Sequence, residues 1–161
     1  GSRGSVIPFF VNQRKNGFFP ITDEKMTRFM ITLEEGVNLV WDAIEDMIGG
    51  EIYVKKIKSI KLTDIALAID PQVKHQIIGC RPGEKLHEQL ISKEDAPFTY
   101  EFENYFKILP AIHDWSKDPN RIKNGKLVDP EFNYSSENNK EWMTIDYLRQ
   151  WIKENIEFDL K

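Results

Sequence analysis

Cysteine is nearly absent: Cys80 stands alone in 161 residues, so no intramolecular disulfide and no cysteine-cluster zinc site can form. Its apolar neighbours Ile77 and Ile78 suggest a buried, inert thiol rather than a nucleophile. Histidine is scarce too. His75, His87 and His113 lie far apart without metal-ligand spacing, so packing or surface roles are expected and no metal is assigned. No apolar run approaches the ~20 residues that span a bilayer, and no secretory leader pattern precedes the first apolar segment, so a cytoplasmic protein without membrane contact is expected. No Gly-x-Gly-x-x-Gly occurs, and no tyrosine is followed by lysine four residues on. These residues therefore cannot perform redox chemistry unaided, and no catalytic group is assigned. Charge of one sign is also lacking: 22 Lys+Arg face 26 Asp+Glu, a formal net charge of −4, which argues against nucleic-acid binding driven by overall charge. The one acid-free basic stretch, Lys55, Lys56, Lys58 and Lys61, reads as a solvated strand and loop.

What is present is the composition of a folded protein, 40% hydrophobic and 12% aromatic. The pattern predicts mixed α and β structure with short elements. Ser5 can cap a helix through Val6-Ile7-Pro8-Phe9-Phe10, with Pro8 tolerated in the first turn and Gly17 as a stop. Thr32 and Glu35 form a capping box for a helix whose apolar stripe is Leu33, Val37, Val40, Trp41, Ile44, Met47 and Ile48, ended by Gly49-Gly50. Glu51–Val54 alternates like a strand, a helix starts at a Thr63 cap and stops before Asp70-Pro71, and His75–Ile78 reads as a strand. Two aromatic runs around Glu103-Asn104 suggest a hairpin. A last helix follows the Thr144 cap, with Leu148 and Ile152 on its apolar face; Trp41, Trp142 and Trp151 are read as core. Three segments are expected: a lobe of helices and short strands over 1–112, a long polar loop over 113–140, and a helix over 141–161 packing on the lobe.

Arg81-Pro82-Gly83-Glu84-Lys85-Leu86-His87-Glu88 is the densest functional candidate, with a guanidinium on a Pro-Gly turn just past a strand. Such an arginine can grip phosphate or carboxylate through two parallel charge-assisted bonds. A solvated turn with an Arg81–Glu84 surface pair would explain the same residues. Arg28 is embedded in the apolar Met26–Ile31 and must find a partner, either an anionic ligand or a local acid such as Asp23 or Glu24.

Five blocks occur in order: Gly1–Pro8, Pro20–Asp23, Met26–Phe29, Arg81–Glu88 and Tyr134–Asn139. On them the chain strongly resembles the carboxyl-terminal half of the inverting UDP-N-acetylglucosamine 4,6-dehydratases of the pseudaminic acid pathway, in the extended short-chain dehydrogenase/reductase superfamily. The resemblance implies the substrate-binding lobe of such an α/β enzyme, lacking most of the Rossmann sheet. It also implies an NADP-dependent lyase. Hydride leaves sugar C4, water is lost across C5–C6, the hydride returns to C6, and C5 is reprotonated on the opposite face. The cofactor and the catalytic residues would belong mainly to an absent amino-terminal half, so this chain alone would be inactive. Without an initiator Met, Gly1 is read as the start of a piece cut from a longer protein.

Carried over by matching motif, Gly1, Ser2 and Arg3 border the cofactor, Val6 and Thr22 lie along the nucleotide, Arg28 and Arg81 clamp the diphosphate, and Glu84 accepts from a ribose hydroxyl. The implied partner is UDP-N-acetylglucosamine, and the parent enzyme is expected to be a homo-oligomer. Met30, where an aromatic is usual, and Cys80, where an aliphatic residue is usual, depart from the pattern. Capsule-type UDP-N-acetylglucosamine 4,6-dehydratases acting as 5-epimerases are a close alternative; Pro82 and the Tyr134–Asn139 block favour the flagellin-glycan branch. A non-catalytic sugar-nucleotide-binding module is the alternative of another class. If the chain is half an enzyme, the strand near Glu51–Val54 should present an apolar edge.

Overall fold

The computed structural model describes residues 6–155, the side chains of His113 and Asn155 aside. In chain order the elements begin with α1 (Val6–Gln13), β1 (Phe18–Ile21), β2 (Thr27–Met30), α2 (Leu33–Asp46), β3 (Ile52–Lys55) and β4 (Lys58–Lys61). Then come α3 (Leu62–Ile69), β5 (Lys74–Ile77), β6 (Gln89–Ile91), β7 (Thr99–Glu101) and β8 (Tyr105–Ile108). The last are α4 (Pro119–Ile122), β9 (Lys126–Leu127), β10 (Tyr134–Ser135) and α5 (Ile145–Asn155). This is the mixed α and β structure the pattern predicts.

The chain divides into two compact units: Gly1–Phe29, Lys58–Glu88 and Asn139–Lys161 form one, Met30–Ile57 and Gln89–Asn138 the other. In the first, α3 packs on α1 and on α5. Ile65, Ala66, Leu148 and Ile152 there are fully buried, each large aliphatic side chain contributing roughly 1.5–3 kcal/mol. Strands β1 and β5 pair in parallel, Phe18 opposite Lys74 through Ile21 opposite Ile77. Strand β4 pairs with β2. The segment after Asn139 bonds to β4 through Ser59 N–H to Glu141 O at 2.9 Å and Met143 N–H to Ser59 O at 2.8 Å. Thr144 caps α5, its hydroxyl accepting from Tyr147 N–H at 3.2 Å.

The second unit is built on a four-stranded sheet ordered β3-β8-β7-β9. The hairpin of β7 and β8 is closed by Phe102 N–H to Tyr105 O at 2.9 Å. Tyr134 on β10 is buried against Phe106, its hydroxyl bonded to both Ile57 N–H and Ile57 O at 2.9 and 3.0 Å. Residues 113–140, rich in turn signals, thus carry α4, β9 and β10 between those turns.

Several expectations are met by local chemistry. The Thr32–Glu35 capping box forms in both directions, and Gly17 takes a φ of 75° after the first helical segment. Others need correction. The second helix stops at Met47, before the glycines, because Ile48 and Gly49 turn their N–H groups to the Glu51 carboxylate instead of continuing the helix. Gly50, at φ 83°, leaves no room for a side chain: a Cβ would come within 2.9 Å of Pro110. Helix α3 begins at a Lys61 cap, placing Thr63 inside it. The predicted Ser5 cap lies outside the described residues. The apolar stripe of α2 is exposed, not core: no residue of that helix is buried, and Trp41 is 60% exposed. Trp142 is exposed as well. So is Cys80, three residues past β5, a strand whose four residues are also open to solvent.

Candidate functional site

Helix α1 and the ends of β1, β2 and β5 enclose a cavity of about 340 Å³ in the first unit, within the ~300–1,000 Å³ usual for small-molecule sites. Val6, Phe9, Phe10, Met26, Leu62 and Ile78 give it apolar walls. Thr22, Arg28, Arg81 and Glu84 supply the polar groups. The structure thus brings Val6, Thr22, Arg28, Arg81 and Glu84, singled out from distant parts of the chain, around one space. Gly1, Ser2 and Arg3 lie outside the described residues. Val6, the first described residue of α1, lies on the cavity wall.

The two arginines differ in what they have left to offer. Arg28 Nη1 donates to Thr27 O at 2.7 Å and Leu86 O at 3.1 Å, and Nη2 donates to Met26 Sδ at 3.0 Å. Its Nε faces the Glu88 carboxylate at 3.6 Å. The acid partner is therefore Glu88 and not Asp23 or Glu24. One Nη2 proton and the charge remain, enough for a single directed bond to a ligand. Arg81 is exposed, and among the described residues no group bonds to its guanidinium. Its backbone N–H instead donates to Glu84 Oε2 at 3.1 Å, and Glu84 N–H returns to Arg81 O at 3.0 Å. Gly83, at φ 80°, makes that turn possible. The Arg81–Glu84 side-chain pair is thus replaced by a backbone-to-carboxylate bond, and among the described residues nothing takes up the Arg81 fork, which suits an anion. Phe9, Phe10, Leu62 and Ile78 were not foreseen as lining; the apolar spacing at the start of α1 is the one signal that could have shown two of them.

Residues 1–110 match the family described as polysaccharide biosynthesis protein. The chain belongs to that family. It is 50% identical over 159 residues to UDP-N-acetylglucosamine 4,6-dehydratase (inverting) of Campylobacter jejuni serotype O:2, covering 94% of this chain and 48% of that relative. It is 32% identical over 166 residues to UDP-glucose 4-epimerase of Rickettsia conorii, covering 94% of this chain and 49% of that one. Among solved structures, the X-ray structure of Pen from Bacillus thuringiensis superposes with a TM-score of 0.75 at 30% identity, over 95% of this chain and 45% of that one. These likenesses agree with the family resemblance carried by the five sequence blocks. The chain spans about half the length of the curated relatives it matches.

Charge concentrates a second time in the other unit, where no sequence signal pointed. The Asp46 carboxylate accepts from Lys107 and Lys123, and from the Tyr53 hydroxyl at 2.7 Å. Lys107 is buried, also donating to Arg121 O at 2.9 Å and lying 4.8 Å from the centre of the Phe102 ring. Arg121 pairs with Glu51, donates to Gly49 O at 2.7 Å and stacks on Trp115. Burial alone would raise the Asp46 pKa, but the bonds from Lys107, Lys123 and Tyr53 outweigh it and bring it to about 2. Burial, and then the bond to Asp46, push the Tyr53 phenol up. These charges bind one another across the unit, linking α2, β3, β8 and α4. Among the described residues no cluster of His, Cys, Asp and Glu could hold a metal, and no helix is long and apolar enough to cross a membrane.

Proposed function

We propose that this chain is the carboxyl-terminal, UDP-sugar-binding half of a UDP-N-acetylglucosamine 4,6-dehydratase that inverts C5. The observation that carries the reading is the meeting of Val6, Thr22, Arg28, Arg81 and Glu84 around one cavity. The 50% identity to an enzyme of that name supports it. Arg81 offers the diphosphate two parallel bonds, and Arg28 adds one bond and a fixed charge. Glu84, with one carboxylate oxygen engaged by Arg81 N–H, keeps the other for a ribose hydroxyl.

The positions assigned to the cofactor, Gly1, Ser2 and Arg3, lie outside the described residues, and no glycine-rich phosphate loop is present. No chemical step is therefore placed on this chain. NADP, held mainly by the other half, would supply reversible hydride acceptance from the sugar. The residues here bind and orient. On the same resemblance the parent enzyme is a cytoplasmic homo-oligomeric lyase making a UDP-2-acetamido-2,6-dideoxy-4-hexulose, and Pro82 with the Tyr134–Asn139 block favours the pseudaminic acid, flagellin-glycan branch.

Calorimetric titration of the full-length protein with UDP tests the site. Arg81→Ala loses both charge-assisted bonds, and at about 1.5–3 kcal/mol for even one of them UDP binding should weaken by at least roughly 10- to 150-fold. Equal affinity in the variant and the wild type would remove Arg81, and the site with it.

A further inference from the structure

Beyond the residues facing the ligand, the cavity's polar wall depends on a fastening between two segments far apart in sequence. Thr27 N–H donates to Leu86 O at 3.1 Å, and Arg28 Nη1 donates to the same oxygen at 3.1 Å. The Leu86 carbonyl thus receives both the strand that carries Arg28 and the guanidinium itself. The next residue closes the arrangement: His87 Nδ1 and Thr27 Oγ1 are hydrogen-bonded at 2.7 Å. Thr27 is only 3% exposed, so this bond is shielded from water and its geometry is fixed by the packing around it. Glu88, one residue further, faces Arg28 Nε at 3.6 Å.

We infer that His87 is a positioning residue for the ligand site: its bond to Thr27 sets the place of the Leu86 carbonyl, which aims the Arg28 guanidinium into the cavity. His87 itself does not line the cavity, so it acts through Arg28 rather than on a ligand. The geometry explains why an arginine whose fork is largely occupied by backbone oxygens still has one defined direction left. A guanidinium on a flexible stem loses its orientation unless the acceptors behind it are fixed. The inference rests on the binding reading proposed above and adds to it a residue that touches no ligand.

The test uses the full-length protein and UDP as the probe. His87→Ala should weaken UDP binding about tenfold. His87→Asn, whose amide oxygen can take the place of Nδ1, should stay within about threefold of wild type. Thr27→Val, which removes the same bond from the other side, should match His87→Ala and serves if that variant fails to fold. Because His87 works through Arg28, adding His87→Ala to Arg28→Ala should change UDP affinity less than twofold while still lowering the melting temperature. Affinity losses that multiply in the double variant, or a His87→Ala protein that melts earlier but binds UDP as wild type does, would overturn the inference. If the wild type binds no UDP, the functional reading fails, and the Arg28 Nε–H resonance judges the positioning by itself. A dispersed signal in wild type and His87→Asn that collapses to the free-arginine position in His87→Ala supports it; one unchanged in all three refutes it.

Discussion

Replacing Asp46 by Asn asks what the buried charge cluster of the second unit is worth. The change keeps shape and removes the carboxylate that Lys107, Lys123 and Tyr53 share. Lys107 is 1% exposed, and after the substitution its ammonium keeps the Arg121 carbonyl and the faces of Phe102 and Tyr53 but no counter-charge. Stripping one partner from a buried pair costs about 3–5 kcal/mol. Asp46 is 15% exposed and Lys123 half-exposed, so water can partly compensate and the lower end, about 3 kcal/mol, is expected. That is a large share of the roughly 5–15 kcal/mol by which domains are stable. The pH dependence gives a second, independent reading. Asp46 titrates at about 2 in the folded protein against its ordinary 3.8. A depressed carboxylate stabilises the fold fully above its unfolded pKa, and that contribution is lost as pH falls through the folded one. Wild type should therefore lose on the order of 1–2 kcal/mol between about pH 4 and pH 2, a loss the variant should not share. Urea unfolding followed by far-ultraviolet circular dichroism at pH 7 and at intervals down to pH 2 measures both. A penalty under about 1 kcal/mol at pH 7, or one of the same size at pH 7 and pH 2, would refute the argument that the carboxylate's charge holds the cluster.

Two further outcomes follow from the same unit. Tyr134→Phe removes a hydroxyl that satisfies both the N–H and the carbonyl of buried Ile57, and urea unfolding should show a loss of about 1–3 kcal/mol; no loss would mean water replaces the hydroxyl. Trp41→Glu on α2, a side chain 60% exposed, should leave the unfolding free energy within about 0.5 kcal/mol of wild type while reducing self-association of this chain in sedimentation velocity. A loss of 2 kcal/mol or more would show that the stripe packs inside the fold after all.

What could be read from the residues alone divides along the range of the interaction. The Thr32–Glu35 box, the Thr144 cap, the Gly17 turn and the hairpin around Glu103-Asn104 close within a few residues, so the local order of side chains determines them. The stripe on α2 was legible as apolar but not as exposed, since periodicity reports which face of a helix is greasy and nothing about what covers it. The charge cluster was hidden for the opposite reason. Lys107 sits inside the apolar run of β8, and its partner Asp46 is 61 residues away, so only the folded chain shows that the lysine is neutralised. Arg28 fell between these cases: its need for a partner was visible, but the partner was not, because Leu86 and Glu88 lie some 60 residues on.

That intermediate case decides how the binding site should be probed. In the proposed site Arg28 is both a ligand group and a structural donor, holding Leu86 and Thr27 oxygens while facing the cavity, so its removal disturbs the wall as well as the charge. Arg81 sits on an exposed turn whose own bonds run through its backbone N–H and carbonyl, and these survive truncation of the side chain. An effect of Arg81→Ala on UDP binding therefore reports the guanidinium itself, and the same effect from Arg28→Ala does not. The resemblance made the two arginines equivalent members of one clamp. The hydrogen bonds divide them into a fixed charge built into the wall and a free fork at its edge, and a ligand that prefers two parallel bonds to phosphate will draw its geometric selectivity from Arg81.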